Sequence, residues 1–225
     1  MEDHPNIGLC ICKIKVVEFD SYKEIGEQKR VPPLGRDNLF IDLLIGKNVF
    51  YSPGGYMVRS SMFRDSMPSM QIQAPREIGQ NYQLLLPIAS KYPCGYIDDY
   101  LYYYTVRKDS HSHIKWTFEE KIHIIKDISF NVLINIVDSL KLPKEKIDGL
   151  NRIVKVKCLK KQLNALLEYN RKDYVDSIKL ELISLDAYDL YSRFKVAMIK
   201  YPIISKFGFC LKKIIHICRG GGVTM

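Results

Sequence analysis

The sequence predicts an α/β protein, a mixed sheet with helices up to about residue 114 and a mostly helical region from 115 to 225. Two observations carry that prediction. Up to Arg107 the apolar residues fall in short β-branched or aromatic runs punctuated by Gly and Pro; from Thr117 they recur every three or four residues. Apolar residues make up 47% of the 225, ample for a packed core.

Each element follows from local chemistry. NIGLCICKIKVVEFD, Asn6 to Asp20, is a β-branched strand entered after Pro5. The stretch SYKEIGEQKRVPPLGRD, with Gly26, Pro32, Pro33 and Gly35, predicts a loop. NLFIDLLIGKN predicts a short helix, with Asn38 as N-cap, Leu39, Phe40, Leu43 and Leu44 as its apolar stripe and Gly46 as its stop. In VFYSPGGYMVRSSMF a turn at Pro53-Gly54-Gly55 leads into a short strand from Tyr56 to Arg59. The paired glycines let the backbone approach either a ligand or another strand.

QNYQLLLPIASKY reads as a helix opened by Gly79, with Pro87 predicting a kink or an early end. CGYIDDYLYYYTVR, Cys94 to Arg107, predicts a strand or a pair of strands. There Tyr100, Tyr102 and Tyr104 share one face, a pattern typical of sheet packing more than of a sugar-stacking platform. In the helical region Ile122, Ile125, Ile128, Val132, Ile136 and Leu140 mark a first helix. Residues 151–170 predict a basic second helix and 175–200 a third.

The net charge of +9 is unevenly spread. Residues 1–114 carry 13 Lys and Arg against 13 Asp and Glu, whereas residues 115–225 carry 21 against 12. The basic second half points either to a polyanionic partner, anionic lipid or nucleic acid, or to a solvated lysine-rich face. No nucleic-acid-binding motif accompanies it, so nucleic acid is the weakest of these partners. The six cysteines contain no C-x-x-C pair, which excludes common zinc spacings and points to a reducing compartment. No run of about 18 apolar residues occurs, and the start MEDHPNIGLC has neither a basic n-region nor an apolar h-region. A cytoplasmic location is expected. FGFCLKKIIHICR, Phe207 to Arg219, is compatible with a short interfacial helix on an anionic membrane surface, or with core packing.

The succession GKNVFYSPGGYMVRSSMF and PREIGQNYQLLLPIASKYPCGYIDDYLYYYTVRKDSHS resembles the second half of the catalytic domain of bacterial family 2 glycosyltransferases. The match covers roughly Asn6 to His113, and Gly79 to Ser112 is its specific part. The resemblance implies an incomplete GT-A-like mixed sheet in residues 1–114, the acceptor side of the domain, followed by a helical basic region in 115–225. It further implies inverting transfer of a sugar from a nucleotide diphosphate donor to a glycan or lipid-linked acceptor in cell-surface polysaccharide synthesis, at the inner membrane face.

Many relatives open the corresponding helix with Gly-Glu-Asp, whose Asp is the general base. Here the frame holds Gln80 and Asn81, amides that accept no proton at useful pH but can hydrogen-bond a sugar hydroxyl. The base then falls to Glu77, next to Arg76, or to Asp98 or Asp99. Where many relatives carry a His ahead of a Ser-x-Ser pair, this chain has Arg107 before Ser110 and Ser112; with Lys108 these suit a diphosphate. Gly54 and Gly55 complete the expected substrate-side set. His111 and His113 read as exposed loop residues ahead of metal ligands.

The family's Asp-x-Asp, which holds the nucleotide and a Mg or Mn ion, does not occur. The resemblance therefore implies a chain without the donor-binding half, binding no cofactor and inactive by itself. The alternative is a non-catalytic glycan- or partner-binding module derived from a glycosyltransferase.

Overall fold

A computed structural model describes residues 1–30, 39–47, 49, 52–67, 71–72, 80–107 and 115–201. The chain divides into two compact units, Met1–Ile114 with Asn135–Leu142, and Lys115–Ile134 with Pro143–Met225. The fold is α/β, a mixed sheet with helices followed by a helical region, as the sequence predicts.

In the first unit, β1 (Leu9–Glu18) is the organising strand. Its residues are buried on both faces, with Leu9 and Ile14 fully so and Val17 nearly so, which is why it reads as a continuous apolar run without strict alternation. One edge pairs in parallel with β4 (Cys94–Val106) along its whole length, with register shifts on either side of Lys13. The other edge pairs antiparallel with β3 (Tyr56–Val58) near one end and with β2 (Glu24–Gln28) near the other. β2 corrects the sequence reading, which made that stretch a loop. EIGEQ has little strand propensity; it is recruited by the free edge of β1 and by the ion pair of Lys15 with Glu24 at 2.8 Å. β4 is one continuous strand, and its Tyr100, Tyr102 and Tyr104 are half-buried while Leu101 and Tyr103 are exposed.

Helix α1 (Leu39–Ile45) buries Leu39, Leu43 and Leu44, and ends where Gly46 adopts φ 67° and donates its N–H to the Leu43 carbonyl. The Asn38 cap lies outside the described residues. A short helix, α2 (Ser60–Ser66), follows β3; the sequence reading left these residues unassigned. Helix α3 (Gln80–Lys91) runs through Pro87 without ending there, burying Leu85, Leu86 and Ile88. Arg59 ties down the beginning of the chain, donating to the carbonyls of Met1, His4 and Ile7.

The second unit begins with a capping box, Thr117 with Glu120, that starts α4 (Phe118–His123). A π-helical segment, Ile124–Ser129, leads directly into α5 (Phe130–Ser139), of which the residues up to Ile134 belong to this unit and the rest to the first. The regular three-to-four spacing of isoleucines thus passes through a widened turn that periodicity does not reveal. Helix α6 (Lys144–Glu168) starts seven residues earlier than 151. The predicted third helix is two helices, α7 (Val175–Ser184) and α8 (Leu190–Lys200). The break falls where Asp186 takes φ 47° and the N–H of Ala187 returns to the Leu182 carbonyl; Asp189 then caps α8 through the N–H of Ser192 at 2.9 Å. Phe118, Leu159, Leu163, Leu166, Val175, Ile178, Leu182, Val196 and Ile199 form this unit's core. Among the described residues no helix is long and apolar enough to cross a membrane.

Candidate functional site

Three elements of the first unit converge around the start of α3. The backbone turn at Gly54-Gly55 packs against the sheet: a Cβ on Gly54 would stand 2.5 Å from the Tyr102 ring, and one on Gly55 would stand 2.4 Å from Cδ1 of Ile14. Gly54 also holds φ 92°. Of the two readings of this pair, close approach to a neighbouring strand is what the geometry displays, since both glycines are needed to fit side chains of β1 and β4.

That tight turn delivers Tyr56 to the first turn of α3, where its hydroxyl donates to Oδ1 of Asn81 at 3.0 Å. Burial raises the Tyr56 phenol above its ordinary range, so it stays a neutral donor. With its oxygen engaged, Asn81 is oriented so that its NH₂ group is the part left for other partners. Gln80, one residue earlier, is exposed. The pair therefore offers hydrogen-bond donors and acceptors at the start of a 12-residue helix, and no proton acceptor.

The carboxylates stand elsewhere on the sheet. Asp98 pairs with Lys13 at 2.7 Å, and the hydrogen bond from that ammonium holds its carboxyl below the usual carboxylate range. Lys13 and Lys15 both lie over the Tyr100 ring, at 5.3 and 4.4 Å from its centroid. The Tyr100 hydroxyl in turn donates to Glu27, which pairs with Lys29 at 2.7 Å. Asp98 thus belongs to a charge network of lysines and glutamates on strands β1, β2 and β4. Asp99, its neighbour, is exposed. Arg107, at the end of β4, is exposed and places its guanidinium 4.1 Å from the Phe19 ring centroid. Glu77, Arg76, Lys108, Ser110 and Ser112, together with His111 and His113, lie outside the described residues.

Two partners of this region escaped the sequence reading. The sequence predicts Tyr56 in a strand but not its bond to Asn81, because a contact across 25 positions leaves no local signal. Arg30 and Asp42 form an ion pair at 3.0 Å with both side chains sealed from solvent. The one clue in the sequence is an Asp on the otherwise apolar stripe of Leu39, Leu43 and Leu44. Among the described residues no group of three or more His, Cys, Asp or Glu could hold a metal ion.

No family model, curated protein or solved structure matches the chain.

Proposed function

We propose that the chain is the acceptor side of an inverting, family 2-like glycosyltransferase, working with a donor-binding half that supplies the nucleotide diphosphate sugar and its Mg or Mn ion. The acceptor is a glycan or lipid-linked saccharide of cell-surface polysaccharide synthesis, met at the inner membrane face. The observation that supports this reading is the Tyr56–Asn81 pair. It fixes an amide at the mouth of α3, in the position where the resemblance expects contact with the acceptor hydroxyl. Arg107, exposed at the end of β4, adds a planar cation suited to a diphosphate.

A second reading, a non-catalytic glycan-binding module, draws on Asp98. A carboxylate held ionised by Lys13 is a weak proton acceptor, and the amides at Gln80 and Asn81 are none. One set of measurements separates the two. The chain alone is expected to show no saturable binding of common nucleotide sugars with Mg²⁺ or Mn²⁺ below about millimolar, roughly −4 kcal/mol. Joined to the donor half of a complete family enzyme, it is expected to transfer sugar, with Glu77→Gln lowering turnover by about 10². Full activity in that variant moves the base to Asp98 or Asp99, tested by the Asn substitutions. Acceptor binding without any transfer by the joined protein favours the binding module; neither binding nor transfer overturns both.

A further inference from the structure

The helical unit contains a groove of about 170 Å³ between the π segment, α6 and α7. Its floor is apolar, formed by Phe130, Leu159 and Ile178, the last two being core residues. Its polar wall is unlike a core. Gln162 lines the groove at 8% exposure, and its amide has no hydrogen-bond partner among the described residues. The rest of the side chain is buried and its amide atoms open only toward the groove, so a ligand there would supply hydrogen bonds that the protein does not.

The charged residues lining the groove are Lys126, Lys155 and Glu181, and Asp176 in the first turn of α7 pairs with Lys200. Lys126, in the π segment, and Phe130, at the start of α5, both line the groove, and π turns are common at functional sites. Lys126 makes no ion pair among the described residues, and its ammonium lies 5.7 Å from the Tyr174 ring centroid. Tyr174 stands at the N-cap of α7 with φ 60°, a left-handed conformation that an aromatic residue rarely adopts, and it contributes no side-chain cap. Among the described residues, the first-turn N–H groups of α7 at Asp176 and Ser177 are therefore left by the cap without an acceptor, at the positive end of a ten-residue helix. Ser177 uses its own hydroxyl proton on the Tyr174 carbonyl at 2.8 Å. On the rim, Lys155 and Glu181 neutralise each other at 3.1 Å.

We infer that this groove is a binding site for a phosphate monoester bearing a small apolar group: Lys126 and the start of α7 face the phosphate, Gln162 donates its NH₂ to a phosphate oxygen, and Phe130, Leu159 and Ile178 take the apolar part. It shares no residue with the cluster around Asn81, and it holds whether or not the chain takes part in sugar transfer.

Nuclear magnetic resonance on the full chain tests it, following the backbone amides of Asp176 and Ser177 and the side-chain amide of Gln162. Titration with phenyl phosphate is expected to saturate at submillimolar concentration, at least tenfold tighter than inorganic phosphate. Gln162→Leu and Lys126→Met should each weaken it at least tenfold. Gln162→Leu should at the same time raise the thermal midpoint of the ligand-free chain, because it removes the buried amide, so lost binding is not confused with lost folding. Vesicles of phosphatidic acid, compared with phosphatidylcholine, distinguish a lipid phosphate from a soluble ester; variant-sensitive shifts with either source support the site. Shifts equal for phenyl phosphate and inorganic phosphate and untouched by both substitutions, or no saturable shift with any probe, overturn it.

Discussion

The sheet unit and the helical unit bury polar groups with different consequences. In the sheet unit a charge taken out of water meets its counter-charge: Arg30 and Asp42 are sealed together, and the half-buried Tyr56 phenol is spent on Asn81. In the helical unit the long α6 buries Lys157 and Gln162 on its flanks, with Lys161 one turn from Lys157. Burial there, added to the neighbouring Lys161 charge, pulls the Lys157 ammonium down to about 7. The difference teaches where each unit draws its stability and where it has spent some. A strand-centred core fixes polar partners through many long-range pairings. A bundle of helices satisfies its backbone within each helix, and can therefore bury long polar side chains on a helix flank without losing its ladder of hydrogen bonds.

The largest test of that comparison is on the sealed ion pair. Asp42→Ala leaves the Arg30 guanidinium buried without its carboxylate, and is expected to lower the free energy of unfolding by about 3–5 kcal/mol in a denaturant titration. Replacing both partners, Arg30→Met with Asp42→Leu, should recover most of that loss, since the pair's role is mutual cancellation of two desolvated charges. If the single substitution is neutral, the sheet unit does not depend on paired burial and the contrast fails.

The helical unit should respond to pH with a definite sign. Lys157 has a folded-state value near 7 against 10.5 for an unfolded chain, so between those values the unfolded state binds more protons. Stability attributable to this residue therefore rises with pH across that window, by up to about 5 kcal/mol, and its penalty is fully present below pH 7. Comparison of wild type with Lys157→Met isolates the effect from other titrations: the variant should be the more stable at pH 7, and the gap should close toward pH 10. Trp116, the single tryptophan, lies in this unit and reports its unfolding by fluorescence. A gap independent of pH would remove the lysine from the account.

The smallest effect expected is at the candidate site. Tyr56→Phe removes one hydrogen bond and leaves Oδ1 of Asn81 without its donor, which should cost about 1 kcal/mol by thermal melting. Removal of a polar group thus costs stability here, whereas Gln162→Leu in the helical unit is expected to gain it. Two changes of the same sign would blunt the comparison.

Local chemistry determined a good part of the fold. The apolar run of β1, the stop at Gly46 and the change of period after Thr117 each depend on residues a few positions apart, so they are legible in the sequence. The candidate site was legible in residue type only: Gln80 and Asn81 could be read as amides at a helix start, and Gly54-Gly55 as a place of close approach. Their partners could not be read. That Asn81 is oriented by Tyr56, that Asp98 is held by Lys13 and that the glycines fit Tyr102 and Ile14 are consequences of strand pairing. The same holds where the reading and the structure differ. EIGEQ becomes β2 because β1 offers it an edge, and residues 175–200 break at Asp186, where a left-handed residue lets the chain turn back between α7 and α8. Periodicity records which face of an element is apolar; tertiary structure decides what meets that face, because contacts between distant residues carry energy but leave no spacing in the sequence.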